Sequence, residues 1–214
     1  MKTLTNIDEI KQHFPKHTKA NVKTFIAIVT CMLQLRSTCL YKCKDKMASV
    51  TGKQKTQAMS HYKTITRFFL LAKINIFCEG IFMLIISLLG IESNRIVIDR
   101  TNWKIGDKNV NLLTVGVLFF NCFIPLCWQQ LDKRGNSNFK ERRLLMNHFI
   151  RLWRMAGKKI KDMVVIADRE FIGPEWLQFL HNKKLFFVFR LRENMYFELF
   201  GGGKKNDNCV AMLV

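Results

Sequence analysis

The chain has 214 residues, 49% of them hydrophobic, which is enough apolar material for one large domain or two small ones and excludes a disordered chain. Lys and Arg number 35 against 16 Asp and Glu, giving a net charge of +19 and a pI near 9.9. The partner expected from that excess is polyanionic, nucleic acid first and an anionic membrane surface second.

The N-terminal Met1-Lys2-Thr3-Leu4-Thr5-Asn6-Ile7-Asp8 has no apolar core leading to a small-residue cleavage site, so no secretory signal is read and a cytoplasmic location is expected. Cysteines at Cys31, Cys39, Cys43, Cys78, Cys122, Cys127 and Cys209 show neither a disulfide framework nor a CxxC pair. They read as reduced, mostly buried small hydrophobes. Residues 76–90 and 112–128 are apolar, but the first stretch carries Glu79 and the second Asn121 and Pro125. Both fall short of the roughly 20 clean residues that a membrane span requires, and core segments are expected instead.

In chain order, Thr5 is expected to cap a short helix over residues 6–14, with Asp8 completing a capping box before Pro15 stops it. Thr18 starts a longer helix, because Val22, Phe25, Ile26, Val29, Met32 and Leu33 recur at helical spacing within residues 21–44. The polar residues 49–55, with Gly52, break that pattern. Two more helices are expected, over residues 60–73 and 75–89. Residues 1–73 hold 14 Lys or Arg against Asp8, Glu9 and Asp45, a local net charge of +11. That charge fits either a small helical DNA-binding domain or a solvated basic surface without specificity, and no helix-turn-helix pattern decides between them.

From Arg95 onward the period changes. Arg95-Ile96-Val97-Ile98-Asp99-Arg100-Thr101-Asn102-Trp103 is a β-branched run ending on a carboxylate, and Gly106-Asp107 makes a turn after it. Residues 110–121 and 122–131 complete a three-strand antiparallel meander, closed by a polar loop over 132–138. A helix follows over 140–156, with Leu145, Phe149, Leu152, Trp153 and Ala156 on one face and Lys140, Arg143, Arg151, Arg154 and Lys158 on the other. The apolar stripe is expected to dock on the sheet. The basic stripe either tracks a phosphate backbone or is simply solvated.

Met163-Val164-Val165-Ile166-Ala167-Asp168-Arg169-Glu170 repeats the plan of the first acidic strand. Gly173-Pro174-Glu175 opens a helix to about Asn182, and residues 185–191 form a last strand. Residues 201–208 read as an unstructured tail. With a parallel crossover around the long helix, the first and fourth strands lie side by side and bring Asp99 and Asp168 together. Two close carboxylates repel unless a cation sits between them, and Mg²⁺ prefers such hard oxygen ligands. Alternatively, each Asp caps a strand end or turn.

Taken together, Ile96-Val97-Ile98-Asp99-Arg100-Thr101-Asn102-Trp103 and Ile166-Ala167-Asp168-Arg169-Glu170-Phe171 resemble the first two acidic motifs of insertion-sequence DDE transposases. The resemblance extends through Asn111-Leu112-Leu113, Pro125-Leu126, Lys133-Arg134-Gly135-Asn136-Ser137, Gly173-Pro174-Glu175-Trp176-Leu177 and Phe189-Arg190-Leu191-Arg192, and covers roughly residues 60–195. It implies an α/β fold with a ribonuclease-H-like mixed sheet (three-strand meander, helix, strand, helix, strand) preceded by an all-helical N-terminal region. The expected organisation is a helical, basic DNA-binding region over residues 1–90, an incomplete catalytic core over 91–199 and a tail over 200–214. The resemblance further implies metal-dependent phosphodiester hydrolysis and strand transfer, with Mg²⁺ or Mn²⁺ held by Asp99 and Asp168 as catalytic acids. Its implied partners are DNA, as transposon ends and target, and a second copy of the chain as a homodimer on that DNA. Lys140, Arg143, Arg151, Arg154, Lys158, Arg100 and Arg169 are the expected DNA contacts.

One family feature is missing. The third acid of these enzymes, a Glu within a Tyr, Arg, Glu, Lys signature, has no counterpart here, and Tyr196 with Glu198 is a poor substitute. A truncated or frameshifted copy is therefore expected. The alternatives are a non-catalytic DNA-binding fragment able to inhibit an intact transposase, and a ribonuclease-H-like nuclease using Glu170 or Glu193 as its further acid.

Overall fold

The computed structural model describes residues 6–71 and 74–190. The chain is α/β and divides into two compact units, one up to Gly90 and one from Ile91 onward.

The first unit is helical, with α1 (Ile7–Gln12), α2 (Lys19–Leu35), α3 (Leu40–Thr51), α4 (Ala58–Leu71) and α5 (Ile74–Leu89). Asn6 caps α1 by accepting from the Asp8 amide, while Thr5 lies outside the described residues. Thr18 caps α2, its hydroxyl accepting from the Asn21 amide at 3.2 Å. The single helix expected over residues 21–44 is in fact two, bent by 107°. The break comes at Arg36, which takes the left-handed conformation (φ 48°), while the Ser37 amide turns back to the Met32 carbonyl at 3.1 Å. Apolar spacing alone missed it, because the apolar residues continue on both sides of a local backbone event. Phe14, Val22, Ile28, Cys31, Cys43, Met47, Ile65, Phe68 and Phe77 form the core of this unit. Among the described residues no single helix is long and apolar enough to cross a membrane.

The second unit contains β1 (Arg95–Ile105), β2 (Lys108–Phe119), β3 (Cys122–Gln130), α6 (Phe139–Met155), β4 (Val164–Ala167), α7 (Pro174–Asn182) and β5 (Phe186–Phe189). One five-stranded mixed sheet runs β3-β2-β1-β4-β5. The first three strands form an antiparallel meander, turned at Gly106-Asp107 and again at Phe120-Asn121, where both residues are left-handed. Crossovers through α6 and α7 make β4 and β5 parallel to β1. The expected last strand ends at Phe189, and Leu191 lies outside the described residues, as do Glu193, Tyr196, Glu198, Cys209 and the whole tail.

Alternation along the strands gives the sheet two unlike faces. Ile96, Ile98, Leu113, Val115, Val117, Val165 and Ala167 are buried on one face. Val97, Thr114, Val164 and Ile166 share the other and are only half-buried. α6 packs on β2, β3 and α7, burying Leu145, Phe149, Leu152 and Trp153. Its N-terminus carries a full capping box: the Asn138 side chain accepts from the Glu141 amide, and the Glu141 carboxylate accepts from the Asn138 amide.

Candidate metal and nucleic-acid site

β1 and β4 pair in parallel from Arg95↔Val164 to Ile98↔Ala167, and the next residue on each strand is an acid. Asp99 and Asp168 therefore emerge side by side. Asp99 continues β1 on the half-buried face with Val97, whereas Asp168 lies one residue past the last paired position of β4. Asp99 is half-buried and Asp168 exposed.

The two acids are held differently. The Thr114 hydroxyl, from the facing position on β2, donates to the Asp99 backbone carbonyl at 3.1 Å. Among the described residues the Asp99 carboxylate makes no hydrogen bond of its own. Asp168 leaves the sheet to cap a 3-10 turn, Arg169–Phe171, its Oδ1 accepting from the Arg169 amide at 2.7 Å. It thus fills the turn-capping role, and it still offers Oδ2 to a ligand.

The clamp lies on the other side of β1. Arg100 follows Asp99, so it points to the buried face, where its Nε donates to Glu170 Oε1 and Oε2 at 3.0 and 3.2 Å and its Nη2 to Oε2 at 2.9 Å. The same guanidinium reaches Asn111 Oδ1 at 3.3 Å and Asn136 Oδ1 at 3.2 Å. Asn111, buried on β2, donates to the carbonyls of Lys133 and Gly135. Arg142 of α6 donates to the Ser137 hydroxyl at 2.9 Å, the Ser137 carbonyl at 2.6 Å and the Glu170 carbonyl at 2.9 Å, and lies over the Phe171 ring. This network ties β1, β2, the loop after β3, α6 and the turn after Asp168 into one polar layer beneath the acids.

Its electrostatics follow from burial and pairing. The hydrogen bonds to Glu170 hold the Arg100 pKa above its ordinary value, whereas burial lowers that of Arg142. Arg100, expected to contact DNA, is engaged with Glu170. Glu170, the candidate spare acid, is engaged in return, with only 19% of its side chain exposed. Asn111, Asn136, Ser137 and Arg142 were not singled out individually from the sequence. One signal was there: Arg142 falls at helical spacing within the apolar stripe of Leu145, Phe149 and Leu152, where a charge needs partners.

Lys140, Arg143, Arg151 and Arg154 are exposed on the outer face of α6. Arg142 of α6 reaches Glu170, whose side chain meets Arg100 on the buried face, so α6 covers that face of the sheet. The basic stripe therefore faces away from the side of the sheet that carries Asp99. Lys158 departs from it: the helix ends at Met155, Gly157 turns the chain (φ 74°), and Lys158 is half-buried beside Lys159, Lys161 and Glu92 around a cavity of about 240 Å³. Arg169 is exposed and adjoins Asp168 directly.

Among the described residues no group of three or more His, Cys, Asp or Glu is gathered as a metal site. Two carboxylates at the ends of adjacent strands are the hard oxygen donors that Mg²⁺ or Mn²⁺ takes, with water and phosphate oxygens filling the other positions, as they usually do for Mg²⁺. No protein-family model, curated protein or solved structure matches the chain.

Proposed function

We propose that the chain is a DNA-acting protein of the DDE transposase kind, its second unit a ribonuclease-H-like core and its basic helical unit a DNA-binding module. The observation that supports this reading is the β1–β4 register, which ends on Ile98↔Ala167, one residue before Asp99 on one strand and Asp168 on the other. The meander, helix, strand, helix, strand order and the net charge of +19 agree with it.

In this reading Asp99 and Asp168 hold Mg²⁺ or Mn²⁺, an ion able to activate a water or 3′ hydroxyl and to stabilise the leaving oxygen of a phosphodiester. The Thr114 bond fixes the backbone at Asp99, and the Arg100–Glu170 clamp fixes the turn at Asp168. Arg169, next to Asp168, meets the phosphate being cut. The α6 stripe contacts a DNA segment away from the acids, and two copies of the chain hold two ends together.

A second reading is a DNA-binding protein without cleavage activity, able to occupy element ends. The engagement of Glu170 with Arg100 favours it, because a nuclease using Glu170 as its third acid has to break three hydrogen bonds first. Incubation with Mn²⁺ and DNA carrying the terminal sequences that flank the gene separates these readings. Nicking at those ends, lost in Asp99→Asn and Asp168→Asn, supports the transposase. Binding without nicking supports the second reading, and cleavage without end preference a nuclease.

A further inference from the structure

Within the first unit, α2, the end of α3 and the start of α4 enclose a cleft of about 910 Å³, a size typical of ligand sites. No Asp or Glu lines it, while Lys23 and Lys53 stand on its walls with the polar side chains of Thr30, Gln34 and Ser60. Ser60 and His61 belong to the first turn of α4, where the helix dipole adds positive potential. His61, also in the wall, is only 4% exposed, and its Nε2 has no hydrogen-bond partner. The His61 ring thus lies against the cleft as part of its wall, and a change in what fills the cleft alters the ring's surroundings.

We propose that this cleft binds a phosphate ester, with Lys23 and Lys53 neutralising its charge and Ser60 and Thr30 donating to its oxygens, against a wall that includes the His61 ring. The phosphate belongs either to a free mononucleotide or to a DNA backbone. The cleft is built from residues of the first unit alone, so the proposal does not rest on the reading of the acid pair in the second.

The test uses the full-length chain carrying Asp99→Asn and Asp168→Asn, in EDTA, so that metal-dependent binding at the acids is silent. Thymidine monophosphate and a short DNA duplex are titrated while the His61 ring resonances are followed by NMR, assigned with His61→Gln. A shift with the mononucleotide supports the site and identifies a free ligand; a shift with the duplex alone supports it and identifies a backbone phosphate. Lys23→Ala with Lys53→Ala is expected to weaken that binding at least tenfold while leaving the helical circular dichroism unchanged. His61 resonances unmoved by either titrant, or equal affinity in the double lysine variant, overturns the proposal.

Discussion

Arg100 donates three hydrogen bonds to Glu170 across seventy residues of chain, at 2.9 to 3.2 Å, with side chains only 14% and 19% exposed. Breaking such a pair leaves the remaining partner short of its hydrogen bonds. Glu170→Gln or Arg100→Ala is expected to lower stability by about 2–3 kcal/mol, the scale of hydrogen bonds to charged groups. The double variant should cost less than the sum, which a urea double-mutant cycle measures. A Glu170→Gln protein of unchanged stability but weakened Mn²⁺ binding would show that Glu170 serves as a ligand.

Asp99→Asn and Asp168→Asn should each abolish Mn²⁺ binding with little change in thermal midpoint. Asn at position 168 can still accept from the Arg169 amide, so the cap survives. Asp168→Ala loses the carboxylate and the cap together and is expected to cost about 1 kcal/mol more. Calorimetric metal titration beside thermal melts reads the two effects separately.

Replacing Lys140, Arg143, Arg151 and Arg154 by Ala should weaken DNA binding and flatten its salt dependence, by a slope of about 0.9 for each phosphate no longer neutralised. Because these residues face away from the side of the sheet that carries Asp99, Mn²⁺ affinity should stay at the wild-type value. Fluorescence anisotropy over a salt series is the measurement, and an unchanged slope would mark the stripe as a solvated surface.

Gly116→Ala tests the meander. β2 and β3 shift register between Val115 and Gly116, and a Cβ at Gly116 would strike the Ile124 carbonyl oxygen and the Phe123 ring. Backbone offers little room to yield there, so a loss of about 1–3 kcal/mol is expected from overpacking. Chemical denaturation checks it.

Thiol reactivity should divide the cysteines. Burial raises the pKa of Cys31 and Cys43, and the raised pKa leaves less thiolate at any given pH. Cys39 and Cys122 are exposed. Alkylation at pH 8 followed by mass spectrometry should label Cys39 and Cys122 first, with Cys31 and Cys43 reacting only as the chain unfolds.

Elements with strong local codes were legible in the sequence. The two β-branched runs read as strands, and the α6 stripe identified Leu145, Phe149, Leu152 and Trp153 as buried. The α2–α3 break was not legible, since Arg36 enters the left-handed region without a glycine to announce it. The acids could be marked from their matching contexts, but the clamp beneath them could not. Arg100, Asn111, Asn136 and Glu170 meet only after the sheet has formed, and nothing local distinguishes an arginine that binds phosphate from one that binds a glutamate. Lys158 was misplaced for a smaller reason: a helical wheel extended past Met155 has no knowledge of where the helix ends.

The parallel pairing of β1 with β4 also orders events during synthesis. The β1–β2–β3 meander is built from neighbouring segments and can form as soon as they leave the ribosome, whereas the β1–β4 pair must wait for about seventy further residues and the closure of a long loop. Until β4 is made, β1 has an open edge and Asp99 has no companion. A nascent chain halted at α6 thus already carries the basic helical segments and the meander, while the strand that ends beside Asp99 is still to be made.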